Sequence, residues 1–192
     1  MLKDGDALII VDVQHDFLPG GALAVPEGDA VVPLLAHCAA ACSRSGVPVV
    51  ASRDWHPADH CSFRDFGGQW PVHCVAGTPG AELDPGLDLP GDTRIVDKAS
   101  TPDRDAYSAF EGTDLDEWLK AREVRQIYVG GLATDYCVLR TALDGLRLDY
   151  RVVLLADAIR AIDPADGRKA IETLVEQGAI VADTSQILDV RQ

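Results

Sequence analysis

Short apolar runs alternate with segments of helical spacing along the chain, and this alternation limits the folds that it can adopt. The apolar runs predict buried strands at residues 7–13, 47–52, 94–97, 126–130, 151–156 and 179–182. The segments between them predict helices at residues 30–44, 114–122, 134–146 and 164–177. Strands that alternate with helices form parallel sheets covered on both faces. We therefore expect an α/β fold, a three-layer sandwich around a six-stranded, mainly parallel sheet.

Two of the predicted helices begin with recognisable capping residues. Asp163 precedes Pro164, and proline suits the first helical position because its missing N–H is not needed there. Thr113, followed three residues later by Asp116, resembles a capping box, in which each side chain accepts a hydrogen bond from the other residue's N–H. We expect these residues to fix the starts of the last and the second helix.

Length and charge limit the classes of protein that the chain can represent. Its 192 residues predict one domain over residues 1–192. There are 17 basic and 31 acidic residues, which give a net charge of −14. So acidic a surface repels phosphate backbones and anionic lipid, which argues against nucleic-acid and membrane partners. No apolar run reaches the roughly 18 residues of a membrane span.

The cysteines indicate a reducing compartment. Their number is odd and none forms a CxxC pair; they are Cys38, Cys42, Cys61, Cys74 and Cys137. Cys38 and Cys42 lie four residues apart on an apolar helix face, which favours a role in the core. With no signal peptide visible at the N-terminus, we expect a cytoplasmic protein.

Residues capable of chemistry follow several of the predicted strands. In open α/β sheets, ligands bind beyond the carboxyl ends of the strands. Asp12, Asp54, Lys98 and Cys137 lie at or after such ends, as do Asp97 and Asp157. No GxGxxG motif follows the first strand, which argues against a dinucleotide site there.

Cys137 is the candidate nucleophile. It lies in the first turn of a predicted helix, where we expect the helix N-terminus to lower the pKa of the thiol. Asp12 is the candidate base, and Lys98 could stabilise both charges. The alternatives remain open at this point: a buried, inert cysteine and a lysine that has merely left the sheet for the surface.

The long irregular segment at residues 53–93 holds a cluster of metal-type ligands. Asp54, His56 and His73, with His60 nearby, combine carboxylate and imidazole groups, which bind first-row transition metals. The alternative is a polar loop with solvated histidines. Three aromatic residues of the same edge could wall a flat ring, or could simply pack in their loops: Phe17, Trp70 and Tyr107.

Five motifs in order along the chain identify a family resemblance. They are DVQHDF from Asp12, RDWHP from Arg53, WPVHCVAGTP from Trp70, DAYSAF from Asp105 and GLATDYC from Gly131. Together they resemble the nicotinamidase/pyrazinamidase branch of the isochorismatase-like cysteine hydrolase superfamily. The resemblance covers nearly the whole chain, and the second and third motifs are the more specific to that branch.

The resemblance implies a catalytic triad of Asp12, Lys98 and Cys137, the same residues that the strand ends offer. It also implies an oxyanion hole formed by the backbone N–H groups of Ala133 and Cys137. Members of the family carry a cis peptide bond that would here join Leu132 and Ala133.

The resemblance further implies one divalent metal ion, zinc in first place with iron or manganese as alternatives, bound by Asp54, His56 and His73. His60 is either a fourth ligand or a residue behind the ligands. Phe17 and Trp70 would sandwich the substrate ring, with Tyr107 as a further wall.

The function that the resemblance implies is hydrolysis of nicotinamide, and of pyrazinamide, to the carboxylic acid and ammonia in NAD salvage. The substrate is then a small molecule. Two alternatives remain: another hydrolase of the superfamily, acting on a carbamoyl or vinyl-ether substrate, and a non-catalytic ligand-binding domain of the same fold. The sequence leaves the oligomeric state open.

Overall fold

The fold is built on one parallel sheet. The computed structural model describes residues 2–188 and contains, within them, six strands in the order β3-β2-β1-β4-β5-β6, with every neighbouring pair parallel. The strands are β1 (Asp6–Val11), β2 (Val49–Asp54), β3 (Arg94–Lys98), β4 (Gln126–Leu132), β5 (Arg151–Arg160) and β6 (Ile180–Ala182). This architecture confirms the α/β prediction.

Helices cover both faces of the sheet and complete three layers. They are α1 (Val31–Arg44), α2 (Leu115–Lys120), α3 (Leu139–Arg147), α4 (Pro164–Glu176) and α5 (Ser185–Leu188). Strand β1 shows how the layers arise, because its side chains alternate between two separate cores. Leu8 and Ile10 pack in the cluster that contains α1, whereas Ile9 packs in the cluster that contains α2, α3 and α4. No helix within residues 2–188 combines the length and apolarity that crossing a membrane requires.

The strands end at different residues from those predicted. Strand β1 stops at Val11, because Asp12 adopts a left-handed conformation with a φ of 49° that turns the chain out of the sheet. Strand β5 continues to Arg160, because its pairing with β4 shifts register after Val129 and resumes between Gly131 and Ile159. The apolar pattern alone shows neither the turn at Asp12 nor the register shift after Val129.

The predicted helix starts have mixed outcomes. Asp163 accepts hydrogen bonds from the N–H groups of Ala165 and Asp166, which confirms it as the N-cap of α4. The capping box at Thr113 is wrong: Thr113 Oγ1 accepts from Leu115 N at 3.3 Å, but Asp116 bonds to Lys120 and Tyr150 instead of reaching back. A partner one turn along the same helix and a tertiary partner, Tyr150, take the place of the capping bond.

A π-helical turn precedes α3. The segment Thr134–Val138 forms this turn, so the single helix predicted for residues 134–146 divides in two. Cys137 lies inside the turn, one residue before its end. Such turns widen the helix by one residue and are frequent at functional sites.

Candidate active site

The sheet topology brings the predicted site residues to one edge. Strands β3, β2, β1 and β4 are consecutive neighbours, so their carboxyl ends lie side by side. Asp54 and Lys98 are paired across β2 and β3, and Asp12 directly follows β1. Cys137 is the fifth residue after the end of β4. Residues far apart in the sequence therefore meet at the carboxyl edge, as predicted.

Lys98 is the centre of this group. Its side chain is fully buried, and its Nζ lies 2.9 Å from Asp12 Oδ2 and 3.5 Å from Cys137 Sγ. Nζ also donates hydrogen bonds to Asp54 Oδ1 and, at 3.3 Å, to Ala106 O. The alternative of a surface lysine is therefore excluded. The charges of Asp12 and Asp54 raise the pKa of Lys98 in spite of burial, so it stays an ammonium.

Asp12 has the properties of a proton acceptor. Its carboxylate is fully buried and accepts a hydrogen bond of 2.7 Å from Ser52 Oγ. Burial raises the pKa of Asp12, the ammonium of Lys98 opposes that change, and the charge of Asp54 adds to it. One carboxylate oxygen of Asp12 and the Cys137 sulfur belong to a group of atoms that all lie within 4.8 Å of one another. A carboxylate in this position can take a proton from the thiol and return it.

Cys137 is buried, and its pKa differs from the prediction. Burial raises the pKa of the thiol well above its usual value, Lys98 lowers it, and the carboxylates of Asp12 and Asp54 raise it further. The expected lowering by the helix N-terminus is therefore wrong, because burial beside two carboxylates outweighs it. A raised pKa favours the thiol form, so forming the thiolate calls on a neighbouring base.

The end of β4, just before the turn that carries Cys137, is a point of close backbone approach. Gly131 pairs with Val11 and has a φ of +125°. A Cβ at Gly131 would lie 2.1 Å from Val11 O, so no other residue fits without moving a strand. The second peptide bond after Gly131, between Leu132 and Ala133, is cis, as the resemblance implied.

A second group, of metal-ligand type, lies beside Lys98. Asp54, His56 and His73 are buried, and one ligand atom of each lies within 4.8 Å of the others. The Nδ1 atoms of His56 and His73 bond to the carbonyl oxygens of Ala99 and Pro71, at 3.1 and 2.8 Å. As donors, these Nδ1 atoms leave each Nε2 free as a ligand atom, with its ring oriented by the backbone.

The protonation states of Asp54 and His73 suit a metal ion. Asp54 and Ala99 raise the pKa of His56 in spite of burial, so a metal ion competes there with a proton. Burial raises the pKa of Asp54, but the charges of Lys98 and His56 outweigh that effect and lower it well below its usual range. Burial lowers the pKa of His73, which keeps its imidazole neutral. An ionised carboxylate and a neutral imidazole are the forms that bind metals. The donor set therefore fits a divalent transition metal.

His60 is not brought into the ligand group. Its Nδ1 lies 2.8 Å from Ser62 Oγ and its Nε2 lies 3.1 Å from Arg104 O, so both ring nitrogens have partners within the protein. The ring stacks on that of His56 with a centroid distance of 4.2 Å. The geometry places His60 behind His56, where it supports that ring.

Aromatic side chains surround the same edge. Trp70 Nε1 donates a hydrogen bond of 3.0 Å to Tyr107 OH, and the ring of Phe17 lies 5.6 Å from that of His73. Tyr136, which the sequence reasoning missed, packs against both Trp70 and Tyr107 at centroid distances of 5.0 and 5.8 Å. Its place next to Cys137 in the GLATDYC motif was the available signal.

Two other strand-end carboxylates lie outside the site. Asp97 is exposed and pairs with Arg53 at 2.5 Å. Asp157 belongs to β5, where it accepts hydrogen bonds from Thr184 N and Oγ1 at 2.9 and 2.6 Å. Both carboxylates are structural.

A thiol, a carboxylate and a lysine ammonium in contact at the carboxyl edge of a parallel sheet define an α/β protein equipped for nucleophilic catalysis. Within that class, the family model described as Isochorismatase domain matches residues 6–186. The chain belongs to the isochorismatase family, as the sequence motifs indicated.

Several relatives resemble the chain over nearly its whole length. The nicotinamidase of Escherichia coli is 40% identical over 90% of this chain and 92% of its own. A pyrazinamidase of Pyrococcus horikoshii, solved in complex with zinc, is 48% identical with a TM-score of 0.91, covering 93% of this chain and 99% of its own. A protein of L. infantum, solved in complex with nicotinate, is 38% identical with a TM-score of 0.86. The match covers 95% of this chain and 94% of that protein.

Proposed function

We propose that the chain is a metal-containing nicotinamidase, which hydrolyses nicotinamide to nicotinate and ammonia and also accepts pyrazinamide. The position of Lys98 carries the proposal, because its ammonium contacts Asp54 of the metal-type group and lies 3.5 Å from Cys137 Sγ. One lysine thus joins a nucleophile to a metal-type group at a single edge of the sheet. The activities named for the relatives support the same reaction.

The first step forms a bond between Cys137 and the amide carbon. Asp12 accepts the proton of the Cys137 thiol, and Lys98 stabilises the thiolate that results. The sulfur attacks the carboxamide carbon, and the electron pair of the C=O bond moves to oxygen. The backbone N–H groups of Ala133 and Cys137 donate to this oxyanion.

The second half of the reaction releases both products. Asp12 returns its proton to the amide nitrogen, the C–N bond breaks, and ammonia leaves a thioester on Cys137. Asp12 then accepts a proton from water as the water oxygen attacks the thioester. The C–S bond breaks, the sulfur recovers its proton from Asp12, and nicotinic acid leaves and ionises to nicotinate.

Asp54, His56 and His73 hold one divalent transition metal in this proposal. We propose zinc, while iron and manganese accept the same oxygen and nitrogen donors. When bound, the ion supplies a Lewis-acid site for the ring nitrogen of the substrate, which orients the ring. Phe17 and Trp70 enclose the ring in this arrangement and Tyr107 forms a further wall, with Tyr136 packed against Trp70 and Tyr107.

We also propose a cytoplasmic location in which the protein serves NAD salvage. All five cysteines lie among the described residues and are free thiols. A nucleophilic Cys137 has to stay reduced, and a reducing compartment provides that condition.

A deamidation assay tests the function. Purified protein loaded with zinc is incubated with nicotinamide, and ammonia and nicotinate are both measured, before and after treatment with a chelator. We expect equal amounts of the two products, loss of turnover after chelation, and recovery on adding zinc. Benzamide is the matched substrate, because it keeps the carboxamide and the flat ring but lacks the ring nitrogen. Its turnover should be much slower.

The alternatives give different results in the same assay. Zinc-loaded protein that leaves nicotinamide intact but hydrolyses a carbamoyl or vinyl-ether substrate is another hydrolase of the family. Protein that binds zinc and nicotinamide without turning over any of these substrates is a binding domain. Either result rejects the proposed function.

A further inference from the structure

Gln14 makes an unusual set of contacts next to the site. Its side chain is fully buried, and its Oε1 accepts a hydrogen bond of 2.8 Å from Asp54 N. Its Nε2 donates to Asp54 O and to Ala81 O, both at 2.8 Å. The carboxamide therefore pairs with both backbone groups of Asp54, and both of its N–H bonds have acceptors.

These contacts replace a missing piece of the sheet. Strand β1 pairs with β2 up to Val11 and Ser52, and the last backbone bond runs from Asp12 N to Ser52 O at 3.1 Å. Beyond it the left-handed conformation of Asp12 turns β1 away, while β2 continues to Asp54. The side chain of Gln14 supplies the hydrogen bonds that a continued β1 would have donated and accepted.

The position of Gln14 links the two carboxylates that contact Lys98. Gln14 N donates a hydrogen bond of 2.9 Å to Asp12 O, so the residue belongs to the turn that orients Asp12. Its side chain holds the backbone of Asp54. Asp54 is fixed on its other side by the pairing of β2 with β3.

We propose that Gln14 is a positioning residue that sets the place of Asp54 relative to Asp12. It thereby tunes the affinity of Asp54, His56 and His73 for a metal ion. The proposal rests on the proposed function for the identity of the bound ion. The hydrogen bonds of the Gln14 side chain run to backbone groups and not to the ligand atoms or Cys137 Sγ. Partners of metal ligands commonly change metal affinity by about 10–100-fold when they are removed.

Gln126 offers a matched control at the opposite end of the sheet. It is also a buried glutamine, and its Nε2 donates to Asp6 Oδ1 and Tyr128 OH at 3.1 and 2.9 Å. It begins β4, whereas the site lies beyond the strand's other end. Replacing either glutamine with methionine removes buried amide hydrogen bonds at similar side-chain volume.

The experiment compares Gln14→Met, Gln126→Met and the unchanged protein. For each we measure the zinc dissociation constant by competition with a chelator, kcat and KM for nicotinamide, and the free energy of unfolding. We expect Gln14→Met to weaken zinc binding at least about 10-fold. Gln126→Met should lose stability but keep the zinc affinity within about twofold, since no partner of a ligand is removed.

Unchanged zinc affinity in folded Gln14→Met overturns the proposal, as does an equal loss in Gln126→Met. If Gln14→Met does not fold, Gln14→Glu takes its place, because it keeps the acceptor for Asp54 N and loses the two donated bonds. The zinc measurement needs no turnover. Unchanged protein that binds zinc but does not hydrolyse nicotinamide would therefore reject the proposed function while the affinities still decide the role of Gln14.

Discussion

The ammonium of Lys98 lies 2.9 Å from Asp12 Oδ2, and neither side chain is exposed to solvent. Burying a lone charge at this depth is strongly unfavourable, so each group depends on the other. Asp54 adds a second carboxylate on the same ammonium. The three charges connect the candidate base to the metal-type group, and a change at Lys98 affects both.

Replacing Lys98 with methionine should destabilise the fold and abolish turnover. The variant Lys98→Met keeps an unbranched side chain, one atom shorter, but leaves Asp12 and Asp54 without their ammonium. Removing one partner of a buried ion pair costs about 3–5 kcal/mol in the free energy of unfolding. Denaturant unfolding and the ammonia assay measure the two effects.

The exposed lysine Lys120 serves as the control for Lys98. It pairs with Asp116 at 2.7 Å four residues away on α2. Such surface pairs contribute about 0–1 kcal/mol, so Lys120→Met should stay close to the unchanged protein in stability and activity. Wild-type stability and turnover in Lys98→Met would show that the buried charges are not coupled as described.

Replacing Cys137 with alanine should remove turnover while the protein keeps its fold and its zinc. The reason is that the sulfur forms the bond to substrate, whereas the ligand atoms belong to other residues. We expect a loss in kcat of at least about 1,000-fold, in the range seen for nucleophiles of other hydrolases. The readouts are ammonia release, bound zinc and thermal unfolding.

Cys38→Ala provides the comparison for Cys137. Cys38 is also buried, but it lies in α1 within the core, and burial raises the pKa of its thiol to about 12. Its removal should cost stability without changing kcat. Normal turnover in Cys137→Ala would show that another group is the nucleophile.

His60 and His73 should differ in their effect on bound zinc. His73→Gln removes a ligand atom of the metal group, so the purified protein should lose its zinc. His60→Gln should retain one equivalent, because both ring nitrogens of His60 already have partners, at Ser62 and Arg104. Metal analysis after dialysis measures the stoichiometry, and equal loss from the two variants would identify His60 as a fourth ligand.

The stability of the protein should respond to the titration of Asp6. Asp6 is buried, and burial raises the pKa of its carboxyl above the usual 3.8, although Lys3 opposes the change. The folded state thus holds this proton more tightly than the unfolded state does. The stability that results is present below pH 3.8 and is lost as the pH rises through the raised pKa.

The variant Asp6→Asn isolates this effect, since asparagine does not titrate. Relative to the unchanged protein, its free energy of unfolding should rise from about pH 3 to about pH 7. Asp163→Asn should show the opposite trend, because backbone N–H groups of Asp166 and Ala165 lower the pKa of Asp163. Parallel curves of unfolding free energy against pH for Asp6→Asn and the unchanged protein would contradict the raised pKa of Asp6.

Local sequence patterns predicted most of the fold but not its details. The six strands and the main helices follow from apolar runs and helical periods, which depend on neighbouring residues only. The ends of β1 and β5 do not, because a left-handed Asp12 and a register shift after Val129 depend on how the strands pair. That residues 1–192 form one domain stays a prediction.

In the site, too, the sequence predicted the residues that gather there but not all of their contacts. Strand ends and motifs named Asp12, Asp54, Lys98 and Cys137, because the carboxyl ends of parallel strands converge whatever lies between them. The roles of these residues stay predictions. Tyr136 was not predicted from the sequence, because Trp70, which it contacts, lies in a different loop far along the chain.

By itself, the sequence determined the fold class, the family and the residues gathered at one edge of the sheet. The tertiary structure decided the direction of the Cys137 pKa, the partners of His60 and the contacts of Gln14. The physical reason is that a pKa and a buried hydrogen bond depend on desolvation and on the distances to groups far along the chain. Those quantities exist only once the strands have packed.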